Sequence, residues 1–117
     1  MSIKVYEYNR CGTCRNALKY LDSKGIEYTA VPIRETPPSM KELNFMLKQT
    51  GELKKLLNTS GQDYRKLNMK DKVKELSEQE VLKLLNENGN LIKRPFVVGK
   101  EFGITGFKED DWNNIFK

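Results

Sequence analysis

A chain of 117 residues, 38% hydrophobic and 32% charged, is long enough to bury one core without staples and too apolar to stay disordered, so one domain over 1–117 is expected. Its 21 basic against 16 acidic residues leave a charge of +5, a moderate surplus that suits a solvated surface and does not by itself mark a nucleic-acid binder. The complete absence of histidine excludes Ser/His/Asp and Cys/His triads, histidine general bases and His-assisted zinc chemistry.

The opening MSIKVYEY runs straight into a strand pattern and lacks the apolar h-region of a signal peptide. No run of 18 apolar residues follows, so a cytoplasmic protein without membrane contact is expected. Ile3 to Tyr8 reads as the first strand, stopping at Asn9 and Gly12. From Thr13 the period lengthens: Cys14, Ala17, Leu18 and Leu21 fall on one helical stripe, and Gly25 stops the helix after Lys24. Ile26 to Ile33 alternates again as a second strand, and strand–helix–strand favours a right-handed crossover with parallel pairing.

Ser39 and Glu42 make a capping box ahead of the stripe Leu43, Met46 and Leu47, with a stop near Thr50 and Gly51. Leu53, Leu56 and Leu57 give a short helical turn before a polar loop, and another helical region starts near Met69. Ser77 and Glu80 repeat the box ahead of Val81, Leu84 and Leu85, ending at Gly89. LIKRPFVVG is a strand interrupted by Arg94 and Pro95, Gly99 to Glu101 turn, and FGIT returns antiparallel. KEDDWNNIF closes as a helix with acids in its first turn and a buried stripe of Trp112, Ile115 and Phe116. The order is therefore β-α-β, a helical insertion over about 37–88, then β-β-α, with the core in about 1–36 and 89–117. Without the insertion this is the thioredoxin or glutaredoxin layout, an α/β fold on a mixed sheet.

Cys11 and Cys14 form a CxxC at the first strand-to-helix junction. In a reducing compartment such a pair points to redox or metal chemistry rather than a permanent crosslink, with two small core residues as the bland alternative. A metal would need two further ligands, which carboxylates or a dimer would have to supply, so no metal site is expected. At the helix N-terminus the unpaired N–H groups and the dipole favour negative charge on Cys11. Cys14, one turn on and on the same face, lies within disulfide reach, which makes Cys11 the exposed attacker and Cys14 the buried resolver.

The backbone N–H groups of Gly12, Thr13 and Cys14 would steady a thiolate or a bound oxyanion, and Arg15 would add charge. In this layout Pro95 enters the third strand facing the cysteine loop, a candidate for a cis bond that shapes the contact surface, and Arg94 becomes an oxyanion or thiolate partner. Asn58, Thr59 and Ser60 either cap a helix or line a small-anion pocket. The lysines at 66, 70, 72 and 74 come without an aromatic platform, so direct nucleic-acid binding is not expected. Nothing demands an oligomer, and a monomer is expected.

CGTCRNAL, ETPPSMKEL, LLNTSGQDYRKL, LIKRPFVV and GFKED, in this order, resemble the arsenate reductase/Spx family of thioredoxin-fold proteins over almost the whole chain. The resemblance implies a thioredoxin-like sheet with a helical insertion, a reactive cysteine at Cys11, no prosthetic cofactor, and glutathione or a thioredoxin or glutaredoxin partner as electron donor. In glutaredoxin-coupled arsenate reductases the motif is CGTS, a histidine lies a few residues upstream and three arginines grip the arsenate. Here Cys14 replaces the serine, Tyr8 stands near the histidine's place, and only Arg94 of the arginines is kept. Asn58 and the Gly106-Phe107 stretch occupy the other two places. One arginine instead of three removes most charge-assisted hydrogen bonds to the oxyanion, which argues against efficient arsenate reduction. Spx-type regulators also carry CxxC, as a redox switch, and bind the C-terminal domain of the RNA polymerase α subunit, but they extend past the last helix and differ in the insertion. The chain most resembles a branch of short, CxxC-bearing members without an established substrate.

Overall fold

Alternation along the two central strands decides which helices cover which face of the sheet. The computed structural model describes residues 3–116. Strand β1 (Lys4–Glu7) pairs in parallel with β2 (Thr29–Pro32) across helix α1 (Gly12–Ser23), and antiparallel with β3 (Phe96–Val98). β3 pairs antiparallel with β4 (Gly103–Thr105), giving the order β2-β1-β3-β4. Because side chains point to opposite faces at a period of two, Val5 and its partner Val97 go one way and Tyr6 and its partner Phe96 the other. Val5 and Val97 pack with Ala17, Tyr20 and Leu21 of α1 and with Trp112 of α6 (Glu109–Ile115). Tyr6 and Phe96 meet edge to face at 5.8 Å and pack into a larger cluster formed with the insertion.

The insertion runs through α2 (Met40–Thr50), a 3-10 turn (Leu53–Leu56), α3 (Gln62–Lys66), α4 (Met69–Glu75) and α5 (Glu78–Glu87). Leu43 and Met46 of α2, Met69 of α4, and Val81, Leu82 and Leu85 of α5 are fully buried. Both capping boxes form as expected, at Ser39/Glu42 and Ser77/Glu80. The first does more than start a helix, since Glu42 also accepts the Tyr6 hydroxyl at 2.6 Å and the Lys4 ammonium at 3.2 Å. Burial opposes its charge, but the Tyr6 hydroxyl, the Ser39 N–H and Lys4 together hold the Glu42 carboxyl below the usual carboxylate range. Gly89 marks the other seam: a Cβ there would lie 2.0 Å from the Ile33 carbonyl oxygen, so only glycine lets the end of the insertion approach the end of β2 this closely.

Some expectations shift. The polar loop after Leu57 contains α3, whose Asp63 carboxylate accepts from Asn88 Nδ2 (3.1 Å) and Asn90 Nδ2 (3.2 Å). The expected strand at Leu91–Ile92 is a 3-10 turn (Gly89–Leu91) plus one antiparallel bridge from Ile92 to Leu57. Pro95 has no N–H to give a ladder, so pairing with β1 begins only at Phe96. In α6 Trp112 is fully buried, whereas Ile115 and Phe116 are half-buried at its open end. In α5 Leu82 is buried and Leu84 only partly, because α5 packs against both α2 and α4. Among the described residues no helix is long and apolar enough to cross a membrane.

Candidate functional site

Where β1 ends, the Cys11 N–H donates to the Tyr8 carbonyl at 2.9 Å and turns the chain into α1. Cys11 occupies the N-cap with extended backbone (φ −91°, ψ 116°), and its Sγ accepts the Cys14 N–H at 3.3 Å. A sulfur thus takes the place where serine or aspartate oxygens usually satisfy the first turn. A thiolate accepts such a bond better than a thiol. Cys11 is partly exposed, while Cys14 is 1% exposed on the inner stripe of α1 beside Ala17 and Leu21.

Burial pushes the Cys14 thiol up to about 12, reinforced by the neighbouring Cys11 and opposed by a backbone hydrogen bond at Tyr8 and by the charge of Arg94. Cys14 therefore holds its proton at neutral pH. Treating the reduced, native protein with a small alkylating agent between pH 7 and 10 should add one equivalent, on Cys11, as read by intact mass, with the second added only in denaturant. The linkage has a definite sign. Unfolded, Cys14 loses its proton near its ordinary 9.0, so above that pH the unfolded state binds fewer protons and stability falls as pH rises toward 12.

Tyr8 also carries two guanidinium groups on its ring, one of which, Arg94, acts on Cys14. Arg94 Cζ lies 5.0 Å from its ring centroid and Arg34 Cζ 4.9 Å, and Arg34 Nη1 donates to the phenol oxygen at 2.9 Å. The Arg94–Pro95 peptide is cis, and the buried Pro95 accepts the Gly106 N–H at 2.8 Å through its carbonyl. Gly106 takes φ 73°, in the left-handed region, and Lys93 Cε would lie 3.0 Å from any Cβ added there. Lys93, Arg94 and Gly106 line a cleft of about 720 Å³ with Cys11 in its wall. Two other concavities of about 650 and 700 Å³ contain neither cysteine, so chemistry rather than size singles this one out.

The cleft brings together Cys11, Thr13, Asn58, Ser60, Arg94, Gly106 and Phe107 of the residues that the sequence singles out. Pro95 sits buried behind the cleft. Gly12 opens α1 with free space where a Cβ would be, so no close approach requires glycine there. Arg15 is exposed and reaches Cys11 only through its backbone, its N–H donating to the Cys11 carbonyl at 3.1 Å; its side chain does not line the cleft. Thr59 lines an adjoining groove. Three lysines missed by sequence reasoning line the cleft: Lys55, Lys93 and Lys108. Only Lys93, beside Arg94 in LIKRP, had a local signal.

The model of the ArsC family matches residues 6–115. Among similar proteins, an uncharacterised protein of Bacillus subtilis, YusI, is 47% identical, with 96% of each chain covered. An arsenate reductase of Rhizobium meliloti is 34% identical over 84% of this chain and 69% of its own, and the regulatory protein MgsR of Bacillus subtilis is 30% identical over 98% and 90%. Of solved structures, an ArsC family related protein from Bacteroides fragilis superposes with a TM-score of 0.91 at 37% identity, covering 98% of each chain. A "possible arsenate reductase" from Streptococcus mutans superposes at 0.86 and 40% identity, covering 95% of this chain and 97% of the other. The fold is thus the arsenate reductase-like, thioredoxin-type α/β fold with a four-stranded mixed sheet.

Proposed function

The chain belongs to the ArsC family, and from that premise we propose that it is a thiol–disulfide oxidoreductase or thiol-dependent reductase working through Cys11 and Cys14. The observation that carries this reading is the asymmetry of the pair, one sulfur capping α1 in an open cationic cleft and the other fully buried behind it. In the first step Cys11 thiolate attacks one sulfur of a substrate disulfide, forming a mixed disulfide and releasing one substrate thiolate. Cys11 then no longer presses charge on Cys14, while Arg94 and the Tyr8 backbone still favour the Cys14 thiolate. Cys14 gives its proton to solvent, attacks Cys11 Sγ and expels the second thiolate. Two protein thiols are oxidised to one disulfide and the substrate is reduced to two thiols. A small thiol such as glutathione, or a thioredoxin or glutaredoxin partner, returns the two electrons, with no prosthetic group.

Thr13, the first-turn N–H groups and Arg94 act on the anionic partner, Pro95 shapes its approach, and Arg15 contributes only a distant charge. Such a pair works where thiols are kept reduced, which supports the cytoplasm as its location. Arsenate is a poor candidate substrate, since Arg94 is the one arginine in the cleft.

A regulator reading has its own support in the 30% identity to MgsR over nearly the full chain. There the same disulfide would switch affinity for a partner such as the RNA polymerase α subunit. Equilibrating the protein against glutathione buffers, then assaying turnover of small disulfides with a thiol reductant, separates the two. A reversible intramolecular disulfide with turnover supports the oxidoreductase. A reversible disulfide without turnover supports the switch, and no disulfide at any poise defeats both.

A further inference from the structure

We infer that the Cys11 cleft selects disulfides carrying two or more carboxylates, of short-peptide size; this deepens the thiol–disulfide reading and rests on it. Four cations line the cleft, Lys55, Lys93, Arg94 and Lys108, against one acid, Asp111. None of the four is in an ion pair: among the described residues the one pair formed is Lys4–Glu42, neither of which lines the cleft. Their charge is therefore unspent on the protein's own acids, although the chain has 16 to offer.

The cations are also placed, not merely abundant. The Lys55 carbonyl accepts the Thr105 hydroxyl at 2.6 Å, tying it to β4. The Lys93 N–H donates to the Leu56 carbonyl at 2.9 Å, which sets Lys93 beside Lys55 across the chain, and the Lys93 stem lies against Gly106. Lys108 is the N-cap residue of α6, its carbonyl accepting the Trp112 N–H at 3.0 Å. Two tertiary contacts and the start of α6 thus bring three lysines from separate parts of the chain to the lining of one cleft. Lysine is a point charge on a long stem, suited to separated carboxylates, whereas tight capture of one small oxyanion favours converging guanidinium forks. A cleft of about 720 Å³ is likewise far larger than one tetrahedral oxyanion and within the range that holds small organic ligands. Thr13 and Ser60 add hydroxyls for the polar backbone of such a ligand.

The test measures oxidation of the reduced full chain by 3,3′-dithiodipropionate (dianionic), 2-hydroxyethyl disulfide (neutral) and cystamine (dicationic), each rate divided by that of dithiothreitol with the same disulfide. The normalised dianion-to-neutral ratio should be about tenfold or more at low ionic strength and shrink toward one in 0.5 M KCl, with cystamine slowest. K55Q/K93Q/K108Q should bring the ratio near one. K19Q/K74Q/K83Q, which removes the same charge from exposed helix positions outside the cleft, should leave it as in the wild type. Equal normalised rates for all three disulfides, or a ratio lost equally in both triple variants, would overturn the inference while leaving thiol exchange standing. If the cleft triple variant does not fold, the salt dependence of the wild type and K93Q alone decide the matter. Failure of the wild type to react with any of the three disulfides sinks the thiol–disulfide reading itself, and the substrate preference with it.

Discussion

Replacing Cys11 by serine is expected to lower disulfide turnover by a factor on the order of 10³ or more, because a hydroxyl at neutral pH neither ionises nor displaces a thiolate from sulfur. Cys14→Ser should fail differently. Its Cys11 still attacks, but nothing resolves the product, so one substrate equivalent accumulates on the protein and intact mass shows the adduct. Access and protonation both set the order: Cys14 is 1% exposed and holds its proton up to about 12, so an outside disulfide meets Cys11 first. Cys14→Ala checks that a buried hydroxyl is not itself the cause of the arrest. If Cys14→Ser turned over with glutathione at the wild-type rate, Cys11 would act as a monothiol and the resolving role of Cys14 would fall. If Cys11→Ser kept turnover while Cys14→Ser lost it, the assignment of roles would be reversed.

The placement of the two sulfurs, Cys11 partly exposed at the N-cap and Cys14 buried one turn on, was legible in the sequence because it depends on local facts, a strand end, a helix start and a spacing of three. The same holds for the capping boxes at Ser39/Glu42 and Ser77/Glu80, whose partners lie three residues apart, and for Gly51, whose left-handed φ of 76° ends α2. Pro95 was legible as a cis candidate only through its inferred place beside the cysteine loop. What escaped was made by distant contacts. Helix α3 has no apolar period and no side-chain cap, and Asp63 is anchored by Asn88 and Asn90, 25 and 27 residues away. Lys55 and Lys108 carry no local signal, since only the folded chain brings the 3-10 turn and the start of α6 to one cleft. Arg15 lies exposed and off the cleft lining. Proximity in sequence to Cys14 suggested a role, but one position along a helix rotates a side chain by about 100°, away from the stripe that Cys14 occupies.

The second large effect belongs to Trp112, which joins the core to the cleft wall. Its ring is fully buried and meets Phe107 at 4.9 Å and Tyr20 at 5.6 Å, both edge to face, and Nε1 donates to the Gly106 carbonyl at 3.1 Å. Trp112→Ala should therefore cost about 3–5 kcal/mol, the usual range for deleting a buried aromatic, readable as a lowered urea midpoint at unchanged slope. Trp112→Phe keeps an aromatic body but leaves the buried Gly106 carbonyl without its donor, so it should cost less than alanine yet more than a volume change alone, about 1–3 kcal/mol. Gly106 is also the residue whose N–H reaches Pro95 and against which Lys93 lies. Releasing its carbonyl should loosen the Gly106–Lys108 wall in a protein that remains folded. In Trp112→Phe, Cys11 should still take up one alkylating equivalent, since the N-cap geometry comes from Tyr8 and α1, while the preference for dianionic disulfides falls. A Trp112→Phe variant as stable as the wild type would mean that the indole hydrogen bond does not hold that wall in place, and that its geometry comes from the Pro95–Gly106 contact alone.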